Sequence, residues 1–180
     1  MPRTNDQRPR ARIGYGFDSH EFRPGIPLKI GGMTLPHDLG LGGHSDGDVL
    51  LHAITDALLG AIAAPDIGAL FPPSDPKWKG ADSVIFLKEA LKRMREAGYE
   101  IANVDSSLIL AAPKIGPHAA AIRARVAELL DIGSDCVGLK AKTPEGLGTE
   151  NTAIGHVVVL LERRAILSRT RKPKVVRRSR

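Results

Sequence analysis

Three residues in the N-terminal third of the chain could together hold a metal ion. The stretch GYGFDSH, residues 14–20, has the pattern of a β-strand and carries Asp18 and His20 two positions apart. Side chains two apart on a strand share a face, so an oxygen ligand and a nitrogen ligand would point into the same space. His52 lies in an apolar helical pattern further along and supplies a third ligand. Three such ligands with a fourth position open are typical of a catalytic zinc site.

Each half of this pattern also has an ordinary structural explanation. A single histidine in a helix is more often a hydrogen-bonded core residue than a ligand, and an Asp-x-His on a strand is common. Asp48 and Asp56 stand at i−4 and i+4 from His52, so one helix face would carry an Asp-His-Asp stripe. Burying these groups without partners costs several kcal/mol. The stripe must therefore be hydrogen-bonded, metal-bound or exposed to a cleft.

The elements that would position these residues mix strands and helices without a regular βαβ alternation. Strands are predicted at 12–18, 28–35, 101–110, 137–142 and 154–162, the second broken by a Gly-Gly that indicates a hairpin turn or bulge. The first helix is predicted to start at Ser45 or Asp46 as N-cap and to run to about Ala63. A second is predicted after Asp82, closed by Gly98, and a third from Pro117. This order favours an α+β fold with one mixed sheet and helices packed on one face.

Composition limits the class of protein. The 180 residues suit one domain, no run approaches the roughly 18 apolar residues of a membrane span, and no apolar stretch follows the basic leader as in a secretory signal. The single cysteine, Cys136, excludes a disulfide framework and a cysteine zinc cluster. We therefore predict a cytoplasmic protein with no membrane partner, whose metal ligands are histidines and carboxylates.

The net charge of +6 comes from the two ends of the chain. Residues 13–162 hold 13 basic and 19 acidic residues, so the body of the protein is acidic. We predict a flexible basic leader at 1–11, a domain at 12–163 and a disordered basic tail at 164–180. The tail could attract nucleic acid through its clustered Lys and Arg. It has no aromatic residues and no reader motif, which favours a solvated extension.

Five motifs taken together resemble a known family. They are RIGYGFDSH, GGHSDGDVLLHAITDALLGA, DIGALFPPSDPKWKGADS, NVDSSLILAAPKIGPH and KAKTPEGLG. Their order and spacing are similar to those of the 2-C-methyl-D-erythritol 2,4-cyclodiphosphate synthase family, over about residues 12–162. The resemblance implies a homotrimer whose sheets surround a central prism, with active sites between subunits. It also implies a reaction of the non-mevalonate isoprenoid pathway: 4-diphosphocytidyl-2-C-methyl-D-erythritol 2-phosphate cyclises to the 2,4-cyclodiphosphate and releases CMP.

The resemblance assigns metals to both parts of that site. It implies Zn²⁺ at Asp18, His20 and His52, and Mg²⁺ or Mn²⁺ with the substrate diphosphate at Glu145. Metal ions that neutralise two phosphates and hold them in line suit such a reaction. Read without the family, Glu145 is an exposed loop acid. A zinc phosphohydrolase with the same ligands is the alternative enzyme, and it would yield a linear product.

Further residues match positions that hold the substrate in the family. His44 and Ser45 match an HS pair near the 2-phosphate, where free N–H groups of a helix N-terminus would bind phosphate; Ser45 could equally be only the helix cap. His44 and Thr143 are assigned catalytic roles, stabilising the transition state. Asp56 matches an acid near the zinc site, predicted to orient a ligand. The other matching positions are Asp66, Ile67, Gly68, Phe71 and Asp75 for the methylerythritol side, and Ala111, Ala112, Pro113, Lys114, Ile115 and Gly116 for cytosine.

The chain departs from the family at a few positions. Pro73 stands where relatives commonly have an acid, and a polar contact is lost there. Lys142 stands where relatives often have threonine, and we predict that it adds positive charge near the diphosphate. Thr149 and Thr152 replace the Phe and Arg that line the central cavity in many bacterial relatives, which argues against isoprenoid binding there.

Overall fold

The computed structural model describes residues 9–164 and contains seven strands and four α-helices within that range. The strands are β1 (Ala11–Pro24), β2 (Leu28–Ile30), β3 (Met33–Leu35), β4 (Leu39–Leu41), β5 (Tyr99–Ile109), β6 (Val137–Lys142) and β7 (Thr152–Arg163). The helices are α1 (Val49–Ala61), α2 (Ile67–Leu70), α3 (Ser83–Glu96) and α4 (Ala119–Leu130). Residues 1–8 of the predicted leader (1–11) and residues 165–180 of the predicted tail (164–180) lie outside the described residues. No helix of residues 9–164 is long and apolar enough to cross a bilayer.

Five of the strands form one mixed sheet in the order β4-β1-β7-β5-β6. β5 and β6 are parallel, and every other neighbouring pair in it is antiparallel. β2 and β3 form the predicted hairpin, with its turn at the Gly-Gly pair. The predicted α+β class with one mixed sheet is therefore confirmed.

Two glycines in β1 let α1 lie directly on the sheet. A Cβ atom at Gly14 would stand 1.8 Å from the carbonyl oxygen of Ala57, and one at Gly16 would stand 1.9 Å from that of Ala53. No side chain fits into such distances. The helix backbone therefore approaches β1 closely, and this approach brings His52 to Asp18 and His20.

The two faces of the sheet differ in how deeply their side chains are buried. Residues of β1 and β7 that face α1 are buried, among them Gly16, Val157 and Val159. On the opposite face Ile13 is 72% exposed, Tyr15 58% and Phe17 49%. A contiguous exposed apolar surface of this kind marks an interaction surface. Among residues 9–164, no helix buries these three side chains.

The start of α1 corrects a prediction. The N-cap is Asp48, whose carboxylate accepts from the backbone N–H of Leu51, rather than Ser45 or Asp46. The helix ends at Ala61, two residues before the predicted end. Asp48 is preferred because the N–H groups of Gly31 and Gly32 in the β2–β3 turn also donate to it. The long-range contacts of the hairpin thus select one of several capping residues.

Candidate metal centre and substrate clefts

Asp18, His20 and His52 converge as predicted. Asp18 Oδ2 lies 2.8 Å from His20 Nε2 and 2.9 Å from His52 Nδ1, and the two ring nitrogens are 3.0 Å apart. The three side chains are largely buried. Strand β1 presents the first two ligands, and α1 presents the third across the contact that Gly14 and Gly16 allow.

The electrostatics of this triangle suit a cation. Burial raises the pKa of Asp18, but the hydrogen bonds with His20 and His52 outweigh burial and lower it to about 2. Burial lowers the pKa of His20, but the Asp18 carboxylate outweighs burial and raises it. Asp18 is therefore ionised at neutral pH, and both imidazole rings lie within hydrogen-bond distance of its carboxylate.

The triangle also has the size and the chemistry of a metal site. Three ligand atoms about 3 Å apart leave a point about 2 Å from all of them, the length of a zinc–nitrogen or zinc–oxygen bond. Imidazole nitrogens suit Zn²⁺, and carboxylate oxygens also ligate it. The residues present fit a divalent metal held by three protein ligands.

The two other acids of the predicted stripe do not belong to this triangle. Asp48 is fully buried and caps α1, and burial raises its pKa. Asp56 accepts from the backbone N–H of Ile67 at 2.8 Å, and burial raises its pKa too. In the structure the hydrogen bond of Asp56 goes to the start of α2. Both of its predicted roles, orienting a metal ligand and binding substrate, stay predictions.

A cleft of about 150 Å³ opens beside the metal triangle. Its polar lining is His20, His44, Ser45 and His52, and the remainder is Ile67, Gly68, Phe71, Pro73, Trp78 and Phe86. The ring centroids of Phe71 and Trp78 are 4.9 Å apart, and those of Phe71 and Phe86 are 4.6 Å apart. We call this the metal cleft. The sequence analysis missed Trp78 and Phe86, which form its apolar wall.

His44 and Ser45 reach this cleft from a loop. Three residues separate Ser45 from the first turn of α1, so it does not cap the helix; its hydroxyl instead lies 2.9 Å from His52 Nε2. His44 is exposed, with Nε2 3.4 Å from the carbonyl oxygen of Asp75. The prediction that both lie at the helix N-terminus is wrong. Both residues line the metal cleft, and their predicted contact with the 2-phosphate stays a prediction.

Two further predicted acids take structural positions near the cleft. Asp66 caps α2 by accepting from the N–H of Ala69 at 2.7 Å, and Asp75 accepts from the N–H of Lys77 at 3.0 Å. Both carboxylates satisfy backbone donors in the structure of the chain alone. Ile67 and Gly68, which lie between these two acids in the chain, line the metal cleft, and their predicted contact with methylerythritol stays a prediction.

A second cleft, of about 450 Å³, lies where β5 and β6 end. We call it the loop cleft. It is lined by Leu110, Ala111, Pro113, Lys114, Ile115, Gly116, Ala141, Lys142, Thr143 and Glu145. The lining therefore includes every residue predicted to hold cytosine except Ala112. Most of these side chains are exposed, whereas Ile115 is buried in the core. The backbone N–H of Leu110 bonds the carbonyl of Lys142 at 3.1 Å and fixes the loop to β6.

Thr143 and Glu145 form a pair at the rim of this cleft. The Thr143 hydroxyl donates to the Glu145 carboxylate, and both residues are exposed. Glu145 has a left-handed backbone with φ 52°. The two residues assigned to the diphosphate are thus neighbours on one turn. The two clefts have no lining residue in common.

Comparison with known proteins identifies the family. The model of the YgbB family matches residues 11–162. The chain belongs to the YgbB family. A relative from Koribacter versatilis (strain Ellin345), named 2-C-methyl-D-erythritol 2,4-cyclodiphosphate synthase, is 70% identical over 85% of this chain and 99% of its own. The chloroplastic synthase of Arabidopsis thaliana is 56% identical over 83% of this chain and 66% of its own.

Solved structures agree with this YgbB assignment. A cyclodiphosphate synthase structure in a CDP-bound form has a TM-score of 0.80 and 42% identity, covering 84% of this chain and all of that one. The Plasmodium falciparum IspF–CDP complex has a TM-score of 0.76 and 32% identity, covering 86% of this chain and 97% of that one. The resemblance predicted from the sequence is confirmed.

Proposed function

We propose that this YgbB-family chain converts 4-diphosphocytidyl-2-C-methyl-D-erythritol 2-phosphate into 2-C-methyl-D-erythritol 2,4-cyclodiphosphate and CMP. The metal triangle beside a polar-and-aromatic cleft carries the proposal, supported by relatives with that name. In the reaction a 2-phosphate oxygen forms a bond to the β-phosphorus. The bond from that phosphorus to the bridging oxygen of CMP breaks, and its electron pair leaves with CMP.

The metal requirement follows from the charge of the reacting groups. Two phosphates that repel each other must approach in line, which a charged and preorganised site favours. Asp18, His20 and His52 would hold Zn²⁺, which would polarise a phosphate oxygen as a Lewis acid. Glu145 would contribute to a Mg²⁺ or Mn²⁺ site on the diphosphate, as oxygen ligands suit these ions.

The chain's own side chains have separate tasks in this proposal. His44, on the rim of the metal cleft, donates to the 2-phosphate, and Ser45 shares that position. Ile67, Gly68 and Phe71 line the space for the methylerythritol, with Asp56, Asp66 and Asp75 as neighbouring acceptors. Thr143 donates to the diphosphate, and exposed Lys142 adds positive charge. Backbone groups of 111–116, with Lys114 beside them, hold cytosine.

Two observations support assembly of the chain into a homotrimer with active sites between subunits. The metal cleft and the loop cleft share no residue, although one substrate must occupy both. The exposed face with Ile13, Tyr15 and Phe17 offers apolar surface to neighbouring chains. Three such faces packed together would form the central prism, and each metal cleft would meet the loop cleft of a neighbour.

The reaction is tested with purified full-length protein, Zn²⁺ and Mg²⁺. ³¹P NMR should show cyclic diphosphate and CMP in equal amounts, and a His52→Ala variant should show neither. A linear phosphorylated product would instead identify a phosphohydrolase, which no observation favours. Absence of turnover in the wild type would reject the proposal.

The assembly is tested by mixing two inactive variants, His52→Ala and Thr143→Ala, and allowing subunits to exchange. Sites between subunits would combine an intact metal cleft with an intact loop cleft in about a quarter of cases. Activity should then return to about that fraction of the wild type. Sites contained in one chain would give no recovery.

The remaining expectations concern the ends of the chain and its location. We propose that residues 12–163 contain the whole catalytic domain, so that deleting 165–180 leaves turnover unchanged. Loss of turnover on that deletion would support a function for the tail. The cytoplasmic location stays a prediction.

A further inference from the structure

The second ring nitrogen of His52 faces two serine hydroxyls. Ser83 Oγ lies 2.8 Å and Ser45 Oγ lies 2.9 Å from His52 Nε2, on the ring edge away from Asp18. Ser83 is the first residue of α3 and is fully buried. The sequence analysis gave Ser83 no role, and its contact with His52 spans 31 positions. Ser83 therefore connects α3 to a predicted metal ligand.

The direction of the hydrogen bonds around Ser83 is fixed by its other partners. Lys29 Nζ donates to Asp46 Oδ2 at 2.9 Å, and the Ser83 hydroxyl contacts Asp46 Oδ1. Burial raises the pKa of Asp46, but the hydrogen bonds from Ser83 and Lys29 outweigh burial and lower it. An ionised carboxylate only accepts. The single hydroxyl proton of Ser83 thus goes to Asp46.

This direction determines what Ser83 can offer to His52. With its proton committed to Asp46, Ser83 Oγ presents only lone pairs. His52 Nε2 must then carry the proton, because two lone pairs facing each other at 2.8 Å repel. When a metal is bound at the triangle, a neutral imidazole with its proton on Nε2 directs the lone pair of Nδ1 at the metal, whereas without a metal Nδ1 lies within hydrogen-bond distance of the Asp18 carboxylate.

We propose that Ser83 is a positioning residue, and that the Lys29–Asp46–Ser83 chain holds His52 in the tautomer that binds metal through Nδ1. The inference rests on the proposed function only in assuming that the triangle binds a metal. Ser45 could donate to a bare Nε2 and favour the other tautomer. In that arrangement, however, a lone pair of Ser83 Oγ would face the lone pair of Nε2, and the two would repel. Partners of this kind on the outer nitrogen orient metal-binding histidines.

The first test measures zinc affinity by chelator competition, with full-length protein loaded with Zn²⁺. Ser83→Ala should weaken zinc binding about tenfold or more, the usual effect of losing such a partner. Ser106→Ala is the matched control, because Ser106 is also a buried serine that donates a hydrogen bond, to the carbonyl of Gly138. Its zinc affinity should equal that of the wild type. Equal affinity in folded Ser83→Ala protein would overturn the proposal.

The second test observes the tautomer itself. Long-range ¹H–¹⁵N NMR of full-length, zinc-loaded protein with ¹⁵N-labelled histidine distinguishes a protonated ring nitrogen from a bare one. In the wild type His52 should carry its proton on Nε2, and that proton should be protected from exchange with solvent. Ser83→Ala should lose this protection, and Ser83→Thr, which keeps a hydroxyl, should restore it. A proton on Nδ1 in the zinc-loaded wild type, or equal protection in Ser83→Ala, would overturn the proposal.

A third variant covers the case in which Ser83→Ala fails to fold. Lys29→Met removes the cation that holds Asp46 but leaves both hydroxyls, and should weaken zinc binding by about threefold. No change would overturn the proposal. These results are independent of turnover: a wild type that binds zinc but makes no cyclic product would reject the proposed function alone.

Discussion

The metal cleft and the loop cleft are built by different means. In the metal cleft, buried side chains from β1, α1 and α3 hold one another by hydrogen bonds of 2.8–3.0 Å. In the loop cleft most side chains are exposed, and a backbone bond between Leu110 and Lys142 fixes the shape. Substitutions of the buried metal ligands should therefore have large effects, whereas changes of exposed charge in the loop cleft should have small, salt-dependent effects. The predictions below test this contrast.

The largest effect is expected for His52→Ala. Removing one of three ligands should abolish zinc binding, and turnover should fall by about 10³-fold or more, since a catalytic metal contributes several kcal/mol. His118→Ala is the control, because His118 lines neither cleft. It should keep both zinc and turnover. Zinc analysis and ³¹P NMR of both variants give the answer, and a His52→Ala protein with normal zinc content would contradict it.

The next effect is expected for Gly16→Ala. Its added methyl would overlap the Ala53 carbonyl oxygen and push α1 away from β1, which should lower the free energy of unfolding by about 3 kcal/mol. Gly60→Ala is the matched control, because Gly60 lies in α1 with nothing closer than 3.7 Å to a new Cβ. It should stabilise by about 0.5–1 kcal/mol. Urea unfolding measures both, and similar stabilities would contradict the close approach.

A smaller and pH-dependent effect is expected for Asp18→Asn in the zinc-free protein. The pKa of Asp18 is about 2 in the folded protein and 3.8 ordinarily. The stabilisation that its ionised carboxylate gives to the fold is therefore complete above about pH 4 and is lost as the pH falls through 2. The pKa of His20 is raised above 6.5, so its contribution is present below 6.5 and lost as pH rises through the raised value.

The two contributions of this pair overlap near pH 5. Asp18→Asn should lower the free energy of unfolding by about 2 kcal/mol there. At pH 9 the loss should be smaller because His20 is neutral. Urea titrations at both pH values measure this, and equal losses would show that Asp18 and His20 do not stabilise each other.

The smallest effect is expected for Lys142→Thr in the loop cleft. An exposed lysine near a diphosphate should contribute about 1 kcal/mol, so KM should rise about fivefold at low salt with little change in kcat. The difference should shrink as salt screens the charge. Lys88→Thr, on α3 away from both clefts, should leave KM unchanged. Equal KM and equal salt dependence for Lys142→Thr and wild type would remove Lys142 from the site.

The sequence was sufficient where local spacing determines geometry. The Asp18–His20 pair followed from strand alternation, and local signals predicted the start of α3 after Asp82 and a turn or bulge at Gly31–Gly32. The fold class followed from the order of these elements. The cleft residues came mostly from the family resemblance, since Glu145 alone would be an ordinary loop acid.

The sequence was insufficient where contacts between residues far apart in the chain determine the local structure. Ser45, Asp46 and Asp48 are all good capping residues, and only the hairpin N–H groups select Asp48. β4 has three residues and gains its structure from pairing with the end of β1. The Ser83 contact with His52 joins two helices whose packing no local pattern encodes. The hydrogen bond between Asp56 and the start of α2 was likewise not predicted.

The alternation along residues 14–20 predicts how this strand would tolerate mutation. Even positions face α1, where Gly14 and Gly16 admit the helix and Asp18 and His20 meet His52. Odd positions such as Tyr15 and Phe17 lie on the exposed face that we assign to neighbouring chains. A saturation library read separately for zinc content and for assembly would therefore show two interleaved profiles with a period of two. Substitutions at even positions would reduce zinc content, whereas substitutions at the odd positions between them would impair assembly.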